Sequence, residues 1–162
     1  MNQLVGDNTV KLKCGGSIPQ ELYNQILVNV PIACVDIALV AHGKVLLVMR
    51  KDAPARGQWW VPGGRVHKGE MMIVTAKRKA YEEVGINVHV GPIVHTDETI
   101  FDDGPFDIPV HSINSCFFVY PVDPDFLPSL DGHHEEYKWV NRIDPSLHPY
   151  VKRCLFGAGL RE

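Results

Sequence analysis

Gly64-Arg65-Val66-His67-Lys68-Gly69-Glu70 is followed, after seven further residues, by Arg78-Lys79-Ala80-Tyr81-Glu82-Glu83-Val84-Gly85-Ile86. The first piece, opened and punctuated by glycine, reads as a turn. From Glu70 to Val84 there is neither Gly nor Pro, which predicts a helix over 70–84 with Gly85 as its left-handed stop. On that helix Met72, Ala76 and Ala80 fall on one side, Arg78 and Glu82 pair four residues apart, and Lys79 stands one turn from Glu82 and Glu83. Its acids are expected to share a face that looks back at the glycine turn. Carboxylates so placed suit Mg²⁺, which is held by one or two of them and leaves its other positions to water and substrate phosphates. The N–H groups of the turn, with Arg65 beside them, add donors for phosphate oxygens. A diphosphate and metal site at the junction of turn and helix is the expectation.

Upstream, Ser17-Ile18-Pro19-Gln20-Glu21 offers an N-cap, a proline and an acid, and a short helix is expected to end before Pro31. The apolar runs 32–40 and 44–49 flank His42-Gly43 and predict a β-hairpin. After a loop over 52–58 and a short extended piece at Trp59-Trp60-Val61, Pro62-Gly63-Gly64 reads as a sharp turn in which two glycines tolerate positive φ. Downstream, strands are expected over 86–94, 96–101, 113–119 and 137–140, with loops over 102–109 and 121–135. His148-Pro149 reads as the start of a closing helix that stops at Gly157. Residues 1–16 read as a mobile segment and 17–162 as one domain.

The 162 residues, 45% hydrophobic and 22% charged, suffice for one core. With 16 Lys+Arg against 19 Asp+Glu the net charge is −3, which excludes a broad basic field for nucleic acid. No apolar run reaches the roughly 18 residues that span a bilayer, and the start lacks the apolar stretch of a signal peptide, so a cytoplasmic protein is expected with neither nucleic acid nor membrane as partner. Cys14, Cys34, Cys116 and Cys154 form no CxxC pair and read as reduced, mostly buried thiols.

The segment 64–86 resembles the Nudix box, G-x5-E-x7-R-E-U-x-E-E-x-G-U with U aliphatic, at every fixed position except the glutamate after the arginine, which here is Lys79. The resemblance implies an α/β (α+β) fold, a Nudix-type α/β/α sandwich with a mixed sheet, together with a divalent metal and a nucleoside diphosphate linked to another group. In typical Nudix pyrophosphohydrolases that glutamate belongs to the machinery that drives water at phosphorus, a part no lysine ammonium can take. One branch lacks it: the GDP-mannose mannosyl hydrolases, which break the sugar's C–O bond. Similarity to that branch runs from about Ile18 to the last helix, through Pro31-Ile32-Ala33-Cys34-Val35-Asp36, Arg50, residues 54–66 and residues 131–139.

Carried over residue by residue, this likeness implies Glu83 and the carbonyl of Gly63 as ligands of Mg²⁺, with Mn²⁺ as a second choice. It implies His134 on a loop as the general base, Arg50 and Arg65 on the diphosphate, and Asp36 on the sugar. A histidine's unperturbed pKa of about 6.5 suits the base role. Where the branch has a metal-reaching glutamine, this chain has His133, a third expected ligand that suits Mg²⁺ less than oxygen does. Where it has a tyrosine near the phosphates, Ser112 follows His111. The expected activity is Mg²⁺-dependent hydrolysis of a GDP-sugar, GDP-mannose first, to GDP and free hexose by attack of water at the anomeric carbon with inversion, in a homodimer. Two alternatives stay open: a pyrophosphohydrolase acting at phosphorus, and a nucleotide-sugar sensor without turnover.

Overall fold

The computed structural model describes residues 17–162, so the expectation of a mobile segment over 1–16, and the reading of Cys14, lie outside the described residues. The order of elements is α1 (Gln20–Asn29), β1 (Ile32–Ala41), β2 (Lys44–Arg50), β3 (Trp59–Trp60), β4 (Gly63–Arg65), α2 (Met72–Val84), β5 (Val88–Phe101), a 3₁₀ turn at Pro105–Asp107, β6 (Val110–Pro121), β7 (His134–Val140) and α3 (Pro149–Gly157). The strands form one seven-stranded sheet in the order β3-β2-β1-β6-β5, with β4 added beside β1 and β7 beside β2. The β1–β6 pair is parallel and the others are antiparallel, so the sheet is mixed, as expected.

Alternation along the central strands explains the layers. Val35, Ile37 and Leu39 of β1 and Leu46 and Val48 of β2 pack against Ala76, Ala80 and Val84 of α2. The residues between them, Ala38, Val45 and Leu47, pack against Tyr150, Val151, Cys154 and Leu155 of α3. A period of two puts successive side chains on opposite faces, so two apolar strands at the centre must be covered twice. The alanines of α2 let its backbone sit close to the sheet. Each buried aliphatic side chain contributes about 1.5–3 kcal/mol.

Several boundaries differ from the sequence expectation for identifiable reasons. The first helix is capped by Pro19, not Ser17, and has no side-chain cap. His42 and Gly43 both take positive φ, at 49° and 72°, and close the hairpin as expected. Gly63 and Gly64 are not left-handed: they lie in β4, paired to Val35 and Asp36 of β1. Glu70 stands before α2, its carboxylate accepting the His67 N–H at 3.1 Å. Gly85 is the left-handed stop at φ 72°. Of the two acids at the end of α2, Glu83 is buried and Glu82 is exposed, so they do not share a face. The two strands expected over 86–101 are one strand with register shifts between Val90 and His95, where Gly91-Pro92 is accommodated as a bulge. In α3 the His148 ring accepts the Tyr150 N–H at 3.2 Å. Cys116 and Cys154 are buried, Cys34 is partly buried, and all three are thiols.

Candidate functional site

Two rungs of the sheet carry most of the expected site. Asp36 of β1 faces Gly63 of β4 across one ladder, and Arg50 of β2 faces His134 of β7 across the other. Glu83 comes to the same place from the last turn of α2. Asp36, Arg50, Gly63, Arg65, Glu83, His133 and His134 all line one cavity of about 610 Å³. His134 is the first residue of β7 and not a loop residue as expected, because Gly132 and the acids around it mask the strand start in the sequence.

Gly63 lies where a side chain cannot. A Cβ there would come within 2.0 Å of Asp36 Oδ1 and 2.6 Å of the Val35 carbonyl oxygen. The bare backbone instead donates its N–H to Glu83 Oε2 at 3.0 Å, tying β4 to α2. Lys79 Nζ meets the other oxygen, Glu83 Oε1, at 2.6 Å, and Glu82 Oε2 at 3.3 Å. The lysine stem runs over Gly64, whose added Cβ would meet Lys79 Cε at 2.9 Å. Burial works against the Lys79 ammonium, yet the Glu83 carboxylate beside it, helped by Glu82, holds its pKa above the ordinary value.

His134 is buried between two acids. Its Nδ1 stands 2.7 Å from Asp131 Oδ1, and its Nε2 faces Glu83 Oε2 at 3.8 Å. The segment that supplies Asp131 is docked on the end of α2: Ser129 N–H donates to the Val84 carbonyl at 2.8 Å and Asp131 N–H to that of Glu83 at 3.4 Å. His133 turns the other way, with Nδ1 2.7 Å from Asp52 Oδ2 and three quarters of its side chain exposed. The hydrogen bond from His133 is the main cause that lowers the Asp52 pKa. The structure therefore brings His134, and not His133, next to Glu83. Among the described residues, no group of three or more His, Cys, Asp or Glu side chains stands ready to hold a metal.

Asp36 is buried, and Tyr150 of α3 donates its hydroxyl to Asp36 Oδ2 at 2.6 Å. Burial pushes the Asp36 carboxyl up to about 7, the Tyr150 hydrogen bond opposes this, and the nearby Glu83 carboxylate adds to it. Arg50 Nε donates to the Pro54 carbonyl at 2.7 Å, which fixes its guanidinium at the cavity wall. Arg65 lies over the ring of Tyr23, 5.4 Å from its centroid. The turn before α2 is braced by Glu70, which accepts from Arg78 Nε at 2.8 Å and from the Thr75 hydroxyl at 2.8 Å, while Arg78 also donates to the Arg65 carbonyl. Arg78 is the main cause that holds the Glu70 carboxyl down at about 2.

Sequence reasoning passed over Asp131 and Tyr150. The first was visible as an acid three residues before a histidine, and the second only as a buried tyrosine that needs a partner for its hydroxyl. Trp60 stacks on Tyr150 at 5.7 Å and also lines the cavity.

Glu83 and the Gly63 carbonyl are oxygen donors, the kind a hard cation takes when few protein ligands hold it and other positions are left to water or phosphate. Arg50 and Arg65 on the wall fit the phosphates themselves.

Residues 31–153 match the NUDIX domain. The low-salt glycan biosynthesis protein Agl8 of Haloferax volcanii is 35% identical over 139 residues, which cover 85% of this chain and 88% of that protein. The crystal structure of a MutT NUDIX hydrolase from Burkholderia pseudomallei superposes with a TM-score of 0.67 at 22% identity, over 80% of this chain and 98% of that one. A MutT protein from Methanosarcina mazei does so with a TM-score of 0.63 at 25% identity, over 79% and 92%.

Proposed function

The chain belongs to the NUDIX family of hydrolases, and on that premise we propose that it hydrolyses a GDP-sugar, GDP-mannose first, to GDP and the free hexose, with residues 17–162 as one catalytic domain. The observation that carries this reading is the Lys79–Glu83 ion pair. At the position where attack on phosphorus would use a second glutamate there is an ammonium, which neither holds a metal nor accepts a proton. Likeness to a protein named for glycan biosynthesis supports a sugar-bearing ligand.

His134 is the general base in this reading. With Asp131 accepting from Nδ1–H, the neutral ring would keep its lone pair on Nε2, on the Glu83 side, and would take a proton from water there. The water oxygen forms its bond to the anomeric carbon as the bond from that carbon to the phosphate oxygen breaks. GDP leaves with the electron pair, and the proton passes from His134 to solvent. Arg50 and Arg65 hold the diphosphate and stabilise the charge it gains. Asp36, with one oxygen on Tyr150, holds the sugar through the other. Glu83 and the Gly63 carbonyl would hold Mg²⁺, which would neutralise charge on the leaving group. His133, which lines the cavity and is paired with Asp52, would meet such a metal only through water. The homodimer implied by the family likeness belongs to the same proposal and is checked by sedimentation.

Product analysis in ¹⁸O-labelled water with excess substrate tests the reading. The label is expected in the hexose and none in GDP, with the hexose released first in the inverted anomeric form. Label in a nucleoside monophosphate or a sugar phosphate overturns it in favour of attack at phosphorus, and binding without turnover overturns it in favour of a sensor.

A further inference from the structure

Glu83 is a buried carboxylate whose two oxygens already have partners. Lys79 Nζ is 2.6 Å from Oε1, and the Gly63 N–H is 3.0 Å from Oε2. The lysine is itself largely buried, with 15% of its side chain exposed, and its stem is held over the bare backbone of Gly64. Glu83 and Gly64 line the cavity, and the positive charge is fixed against both of them.

We propose that the Lys79 ammonium is a resident counter-ion of Glu83 that competes with the divalent cation, so that the ligand-free protein holds the cation weakly and binds it well only together with a diphosphate. This rests on the reading of Glu83 as the metal-binding carboxylate. Two cations at one carboxylate repel each other strongly where water is scarce. A diphosphate changes the balance because it brings negative charge to both. The lysine also has a second perch: Glu82 Oε2, on the helix surface, is already 3.3 Å from Nζ. A small rotation of the lysine from Glu83 toward Glu82, or toward a phosphate lying over Gly64, clears Oε1.

The test is a titration of Mn²⁺ into the ligand-free protein, followed by loss of the free-ion electron paramagnetic resonance signal. Lys79→Met is expected to bind Mn²⁺ about tenfold or more tighter than wild type, whereas Lys79→Arg, which keeps the charge, stays as weak as wild type. With saturating GDP the gap between wild type and Lys79→Met is expected to close. If Lys79→Met does not fold, Lys79→Gln takes its place in the same titration. Equal or weaker Mn²⁺ binding by the uncharged variant overturns the proposal. A Lys79→Met, Glu83→Gln double variant that still binds Mn²⁺ tightly overturns the metal assignment itself, and the proposal with it. The ¹⁸O experiment is independent of both results.

Discussion

Asp131 Oδ1 and His134 Nδ1 lie 2.7 Å apart across the entry to β7, with the histidine side chain only 5% exposed. A carboxylate can only accept there, which calls for an N–H on Nδ1, while Nε2 faces Glu83 Oε2 at 3.8 Å and is the atom assigned the proton transfer in the proposed reaction. His134→Ala is expected to lower kcat by about 10²–10⁴ with a small effect on KM. Asp131→Asn keeps the ring in place but removes its orienting charge, and a loss of about 10–100-fold is expected. Steady-state kinetics checks both, and a near-normal kcat for His134→Ala places the base elsewhere.

Glu83→Gln is expected to reduce kcat/KM by about 100-fold or more while the circular dichroism spectrum stays that of wild type. The amide still accepts the Gly63 N–H, so the link between β4 and α2 survives. Full activity in this variant, or wild-type rates in a chelator, contradicts the proposed role.

Gly63→Ala and Gly64→Ala should behave differently although the residues are neighbours. At Gly63 the new methyl meets backbone, 2.6 Å from the Val35 carbonyl oxygen, and a loss of about 3 kcal/mol is expected. At Gly64 it meets the lysine stem, which can swing aside, and thermal melting should show a loss below about 1 kcal/mol. Equal destabilisation by the two contradicts this.

Tyr150→Phe leaves Asp36 Oδ2 without its donor in a buried place, and a stability loss of about 1–3 kcal/mol is expected. Burial raises the Asp36 pKa from 3.8 to about 7, so the folded state prefers the neutral acid. This term favours folding most below 3.8, weakens as pH rises through about 7, and is constant above. The hydrogen bond matters more to the carboxylate than to the acid. Urea melts should therefore show a larger difference between variant and wild type at pH 8 than at pH 5.

Glu70 titrates in the opposite sense. Its hydrogen bond and ion pair with Arg78 depress the pKa from 4.5 to about 2, so its stabilisation is complete above 4.5 and disappears as pH falls through about 2. Glu70→Gln is expected to flatten the stability profile across that window. An unchanged acid limb means that Glu70 does not brace the turn.

The parts of the fold legible in the sequence were those fixed by local rules. His42-Gly43 and Gly85 needed positive φ, and the alternation in 32–40 and 44–49 fitted strands covered on both faces. The parts that were not legible depend on distant partners. Gly63 and Gly64 are required because Asp36 and Lys79 pass close by, a reason the sequence does not contain. Glu70 stays outside the helix because Arg78 and the His67 N–H compete for it. The same holds for the site: the box located Glu83, but only the β2–β7 register places His134 opposite Arg50.

The attachment of Ser129 and Asp131 to the last carbonyls of α2 couples the segment that carries Asp131 to the helix end that carries Glu83. A breathing motion that detaches this strap strips the histidine of its orienting acid and frays the helix turn that carries Glu83 in the same event. The exchange rate of the Ser129 amide, sheltered by the Val84 carbonyl, becomes a clock for how often the molecule is out of service.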